Sequence, residues 1–242
     1  MNTQKQTILI LHGWGLSGER YASLQKLLQK QGYLVYAPDF PGFGKSETPQ
    51  KPFNLEDYAQ FLFTYIEKNK IHHPIVIGHS FGGRVALYFT EKYPHIIQAL
   101  VLTGTPGFTP IPKKRLALFI LIAKIGGIFF SIPPLSLFHD FIQRWYYYVV
   151  GAKEFFRAEG AMRETFKRVV QEDLVPNMEA LKIPCLLMWG EYDIIIPISI
   201  AERMKRVIPQ AELVIIPEAD HGVPLKEPQV FLQYVTRFIA SL

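Results

Sequence analysis

The 242-residue sequence contains a single cysteine, Cys185. No intrachain disulfide, cysteine zinc cluster or Cys-x-x-Cys redox pair can therefore form, and a reducing compartment suits the chain. Charge is also sparse. Charged residues make up 19% of the chain, and 26 basic against 21 acidic side chains leave a net +5, too mild to mark a nucleic-acid binder. The N-terminal segment has only the short apolar run 8–11 and no small-residue cleavage site, so the sequence predicts a cytoplasmic protein. An uninterrupted apolar run of membrane length is missing too. The segment 116–138 comes nearest, but Lys124, Gly126-Gly127 and Pro133-Pro134 break it. What the chain has in quantity is apolar and aromatic residues, 49% and 14%, which exclude a disordered, collagen-like or coiled-coil protein. Its length suits one large α/β domain and would cramp two.

Short apolar runs at 7–11, 33–37, 75–77, 99–102, 185–189 and 213–216 read as strands. Because they are almost wholly apolar and do not alternate, they predict a parallel sheet covered on both faces. Amphipathic stretches at 18–31, 55–69, 81–93, 199–208 and 226–239 supply the helical connections, so the predicted class is α/β with a doubly wound sheet. One interruption stands out. Between 105 and 181 no strand-like run occurs, and Pro106, Pro110, Pro112, Pro133 and Pro134 punctuate helical, aromatic-rich sequence. This predicts a core formed by 1–105 and 182–242 with a helical cap inserted at 106–181. The basic excess sits there: residues 106–183 hold 11 basic and 7 acidic side chains, a net +4.

Gly78-His79-Ser80-Phe81-Gly82 joins a predicted strand to a predicted helix. A serine between two glycines in that setting fits a nucleophile elbow, where the small flanking residues allow a sharp turn that lifts the hydroxyl above the sheet. At a helix N-terminus, developing negative charge also meets favourable backbone dipoles. A serine hydroxyl needs a positioned base, and two later strand ends provide candidates. One runs into Gly190-Glu191-Tyr192-Asp193, the other into Pro217-Glu218-Ala219-Asp220-His221-Gly222. The order is Ser80, Asp193, His221, with Glu191 as a second carboxylate in the same loop as Asp193. Asp220 reads as a turn acid, His12 as a loop-shaping residue and His79 as a packed or hydrogen-bonded side chain. Asp39 reads as a tie between loops, with Arg84 as its expected partner. His72, His73, His95 and His139 show no metal-ligand spacing. Gly42-Phe43-Gly44-Lys45-Ser46 ends like a phosphate-binding loop, but Asp39 occupies the position where that motif needs a glycine, and nucleotide binding is excluded.

Together with His12-Gly13-Trp14-Gly15 and Asp39-Phe40-Pro41-Gly42-Phe43-Gly44, these motifs make the chain resemble an α/β-hydrolase over everything outside the cap. The resemblance implies Ser80 as nucleophile, His221 as general base and acid, Asp193 as the residue orienting it, and the backbone N–H groups of Trp14 and Phe81 as the oxyanion hole. It further implies acyl chemistry with no metal or organic cofactor. The apolar cap, with Phe129, Phe130, Phe138 and Trp145 among its aromatic residues, points to a small-molecule carboxylic ester with an apolar acyl group.

Three other readings share the fold. A serine-dependent hydrolase of carbon–carbon bonds in meta-cleavage products has the same triad, and a non-catalytic receptor would use the pocket alone. His12 to Leu16 and Pro41 to Ser46 are also similar to pimeloyl methyl ester esterases, which implies an acyl carrier protein as partner for the basic cap; the chain departs from them at His79 and Phe81, where Trp and Leu are expected. Peripheral contact with a membrane would suit the same basic, apolar surface, and oligomeric state is not legible.

Overall fold

The computed structural model describes residues 5–108 and 159–242. Six parallel strands form one sheet in the order β2-β1-β3-β4-β5-β6: β1 Thr7–Leu11, β2 Leu34–Tyr36, β3 Ile75–His79, β4 Ala99–Thr103, β5 Cys185–Gly190 and β6 Glu212–Ile216. All six expected strands are present. Every residue of β3, β4 and β5 is buried, because helices cover both faces of a parallel sheet. The edge strand β2 is shorter than expected, three residues with Leu34 exposed, since it pairs with β1 alone.

Alternation along the strands sorts the apolar side chains into two cores. Ile8, Ile10, Ile75, Ile77, Val101, Leu186 and Met188 pack on one face, with Phe231 and Val235. Leu9, Leu11, Val76, Leu100, Leu102, Leu187 and Trp189 pack on the other, with Leu62, Val85 and Phe89.

The described helices are α1 Ala22–Lys30, α2 Leu55–Lys68, α3 Phe81–Lys92, α4 Gly160–Gln171, α5 Val175–Glu179, α6 Ile198–Val207, α7 Val223–Lys226 and α8 Pro228–Ala240. The helix expected at 18–31 opens with a 3-10 turn, Gly18–Tyr21. The one expected at 226–239 starts afresh at Pro228, whose fixed φ and missing N–H suit a first helical turn. Helix α2 begins with a reciprocal capping box, in which Asn54 accepts from the Asp57 N–H and Asp57 accepts from the Asn54 N–H.

Of the cap expected at 106–181, residues 109–158 lie outside the described residues. Its described end is helical. Met162 on α4 is buried beside Gly42, Thr165 Oγ1 accepts from the Phe53 N–H at 2.8 Å, and Arg168 donates to the Pro52 carbonyl at 3.2 Å. Among the described residues no helix is long and apolar enough to cross a membrane.

Candidate active site

The chain order reverses between β1 and β3, and in such sheets the loops beyond the carboxyl ends of those strands diverge and leave a crevice. Ser80 follows β3 there. Its backbone sits at φ 53°, ψ −113°, a conformation that costs a non-glycine residue strain and is held by the surrounding turn. The Ser80 N–H donates to the Thr103 carbonyl at 2.9 Å, while the Gly83 and Arg84 N–H groups return to the Ser80 carbonyl at 3.1 and 3.3 Å. The glycines of the motif are sterically required. A Cβ on Gly82 would lie 2.1 Å from the Leu11 carbonyl oxygen, and one on Gly78 would lie 2.6 Å from Gly83 Cα.

The loops after β5 and β6 bring the expected acid and base together. His221 Nδ1–H donates to Asp193 Oδ2 at 2.8 Å, and Asp193 Oδ1 accepts from the Ile195 and Ile196 N–H groups at 3.0 and 2.8 Å. The Asp193 carboxylate is thus fully engaged; its side chain is 1% exposed, against 16% for His221. Glu191 is excluded from that position, because it turns instead to the Glu218 N–H at 3.0 Å. The two loops are locked by Glu191 N–H to Ile216 O and Tyr192 N–H to Ala219 O, at 2.9 and 2.8 Å. Asp220 caps its own turn through the Gly222 N–H and pairs with Lys226, as expected of a turn acid. Among the described residues no hydrogen bond joins Ser80 Oγ to His221. Such pairs often tighten only with substrate in place.

His12 shapes the loop after β1. Its Nε2 accepts from the Phe40 N–H at 2.9 Å, which fixes the proton on Nδ1, and that N–H donates to the Gly13 carbonyl at 2.8 Å. Leu16 N–H reaches the same carbonyl at 3.2 Å. In a trans peptide the next N–H points opposite to that carbonyl, so the Trp14 N–H is aimed away from His12 and Leu16. Gly13 lies beside the elbow, for a Cβ there would sit 3.5 Å from Ser80 Cβ. The Trp14 ring packs edge-on against Phe43, Phe81 and Phe166, with centroids 4.8, 5.3 and 5.0 Å away. These rings form an apolar cluster next to Ser80; Phe129, Phe130, Phe138 and Trp145 lie outside the described residues.

One expected pairing is not formed. Asp39 does tie loops, accepting from the Gly18 and Lys45 N–H groups at 2.7 and 2.8 Å, but Arg84 is not its partner. Arg84 is fully buried and donates to the carbonyls of Pro106, Val169 and Glu172, so it ties the segment after β4 to the end of α4. The reason is reach: Arg84 lies one turn into α3, on the side facing 106 and 169–172, whereas Asp39 is consumed by backbone amides.

Sequence reasoning missed Tyr21 and Gly104. Tyr21 is a buried aromatic within a polar stretch, and its hydroxyl bonds His79 Nδ1 at 2.6 Å. Gly104, at φ +54°, leaves room for the His221 ring: a Cβ there would meet His221 Cε1 at 2.6 Å. The Thr103-Gly104-Thr105-Pro106 run after β4 was the available signal for a tight turn. A recess of about 380 Å³ near Lys5, Tyr36, Lys70 and His72 opens at the opposite, amino edge of the sheet, away from Ser80.

A family model described as the alpha/beta hydrolase fold matches residues 6–124. The chain is 25% identical over 254 residues to an uncharacterized hydrolase, YugF, of Bacillus subtilis, covering 98% of this chain and 91% of that one. It is 26% identical over 243 residues to Lipase 1 of Psychrobacter immobilis, covering 93% and 74%. Among solved structures, the esterase EaEST from Exiguobacterium antarcticum superposes with a TM-score of 0.75 at 20% identity, covering 98% of this chain and 92% of that one.

Proposed function

Because the chain belongs to the α/β-hydrolase superfamily, we propose that it is a serine hydrolase of carboxylic esters with an apolar acyl group. The observation that carries this reading is the Asp193–His221 hydrogen bond, 2.8 Å, formed by two strand-end loops on the sheet edge where Ser80 stands in a strained turn.

Ser80 Oγ attacks the acyl carbon as His221 Nε2 takes its proton, and Asp193 holds the Nδ1–H so that Nε2 is the free base. The carbonyl oxygen becomes an oxyanion, received by the Trp14 and Phe81 N–H groups. One such donor is worth about 10² to 10³ in rate when preorganised. As the intermediate collapses, His221 gives the proton to the departing alkoxide and an alcohol leaves. Water then repeats the sequence on the acyl-enzyme: His221 accepts its proton, the ester to Ser80 breaks, and the proton returns to Ser80 Oγ while the carboxylic acid leaves.

The acyl group lies against Trp14 and Phe81, with Phe129, Phe130, Phe138 and Trp145 of the cap, 106–181, completing its pocket. A basic, apolar cap also suits a substrate presented by an acidic carrier protein or at a membrane surface.

The test is hydrolysis of p-nitrophenyl esters from acetate to palmitate by the purified protein and by Ser80→Ala. Turnover that is greatest for apolar chains and lost in Ser80→Ala supports the reading. A folded protein inactive on every chain length contradicts it.

A further inference from the structure

Resting on the triad reading above, we propose that Tyr21 and His79 are positioning residues whose hydrogen bonds tie the loop after β1, the nucleophile elbow and the base loop together. The Gly13 N–H donates to Tyr21 Oη at 3.2 Å, Tyr21 Oη meets His79 Nδ1 at 2.6 Å, and His79 Nε2 meets the His221 carbonyl at 3.0 Å. One proton arrangement satisfies every member. The His221 carbonyl can only accept, so Nε2 must carry the ring proton; Nδ1 is then a lone pair, and the Tyr21 hydroxyl donates to it while accepting from Gly13. The reverse tautomer would set two lone pairs face to face at 3.0 Å in a buried site.

The relay begins and ends at residues the mechanism needs. Gly13 is joined to Trp14, whose N–H is a proposed oxyanion donor, and both polar groups of Gly13 are held, N–H by Tyr21 and C=O by His12. His79 is adjacent to Ser80, and its ring lies 4.9 Å from that of His221. With Asp193 on the His221 side chain and His79 on its carbonyl, the base is anchored at both ends. Burial and the neighbouring His221 push the His79 pKa down to about 3, so the ring stays neutral. Burial raises the Tyr21 hydroxyl above its ordinary value, and it remains a donor. Neither residue touches the reacting atoms, so their effect runs through geometry, where a displacement of about 1 Å costs about 100-fold.

The test uses the full chain with the p-nitrophenyl ester it hydrolyses best, and compares Tyr21→Phe, His79→Gln and His79→Leu. In Tyr21→Phe we expect kcat to fall about tenfold with KM within about twofold. His79→Leu should lose about 100-fold, and His79→Gln should recover much of that, since its amide can still donate to the His221 carbonyl. In ¹⁵N-histidine NMR spectra, His79 should be the neutral Nε2–H tautomer from about pH 5 to 8. An unchanged kcat in Tyr21→Phe, equal losses in His79→Gln and His79→Leu, or an Nδ1–H tautomer would overturn the proposal. If the wild type hydrolyses no ester, the esterase reading fails separately. Spectra of uniformly ¹³C,¹⁵N-labelled protein then decide the relay: Trp14 amide and His221 carbonyl signals that shift in Tyr21→Phe support it, and unmoved signals contradict it.

Discussion

Gly104 stands directly against the His221 imidazole, at φ +54° and with room for no side chain: a Cβ would lie 2.6 Å from His221 Cε1 and 3.4 Å from Asp193 Oδ2. A methyl group there must displace the His221 ring or strain the backbone. Gly104→Ala is expected to lower kcat at least about tenfold with little change in KM, as misplacement of a reacting group does. Steady-state kinetics check this, and full activity in Gly104→Ala would mean that His221 is not held in a working position.

The two carboxylates of the loop after β5 should separate cleanly. Asp193 meets His221 Nδ1, whereas Glu191, among the described residues, meets the Glu218 N–H. Asp193→Asn keeps the shape but favours the wrong imidazole tautomer, so kcat should fall by about 10⁴. Glu191→Gln should stay within about threefold, because an amide oxygen still accepts one N–H. Comparable losses in both would contradict the assignment.

Arg84 predicts a stability effect. Its guanidinium bonds the Pro106, Val169 and Glu172 carbonyls, while its Nε has no partner among the described residues. Arg84→Met removes the donors and leaves the carbonyls buried, which should cost about 3 kcal/mol in urea denaturation. Arg84→Lys should restore little, since one ammonium on a flexible stem cannot reproduce a planar fork. A midpoint equal to wild type in Arg84→Met would refute the clamp.

The buried histidines set an acid limit. Burial lowers the pKa of His12 and takes that of His79 to about 3, both below the ordinary value of 6.5. Below about pH 6.5 the unfolded chain therefore takes up protons that the folded chain refuses, so folding stability falls as pH falls toward 3. His79 alone should contribute a slope of about 1.4 kcal/mol per pH unit in that window. Denaturation series between pH 7 and 4.5 should show His79→Gln with the shallower slope, and parallel slopes would show that His79 titrates normally when folded.

The strands were legible because each carries its own signal, a short apolar run that stays apolar on both sides; 75–77 and 185–189 needed only extension by a residue or two. The meeting of Asp193 and His221, the proposed acid and base, was legible for a related reason. Strand ends in this fold must deliver them in chain order, and Asp193 and His221 fall at the right ends. Tyr21 was not legible, since nothing in Gly-Glu-Arg-Tyr tells that its hydroxyl reaches a histidine 58 residues away. Arg84 failed likewise: charge complementarity pointed to Asp39, but backbone amides had already satisfied that carboxylate and backbone carbonyls the guanidinium. Partners made of backbone leave no trace in side-chain pattern.

The central claim, an activated Ser80, is tested most directly by covalent labelling. A fluorophosphonate should give one adduct per folded chain, which mass spectrometry of the digest places on Ser80, and Ser80→Ala should take none. The lone thiol will not confuse the result, because burial pushes Cys185 up to about 12 and keeps it protonated. A folded wild-type protein that remains unlabelled, or carries its adduct at any other residue, would contradict the account.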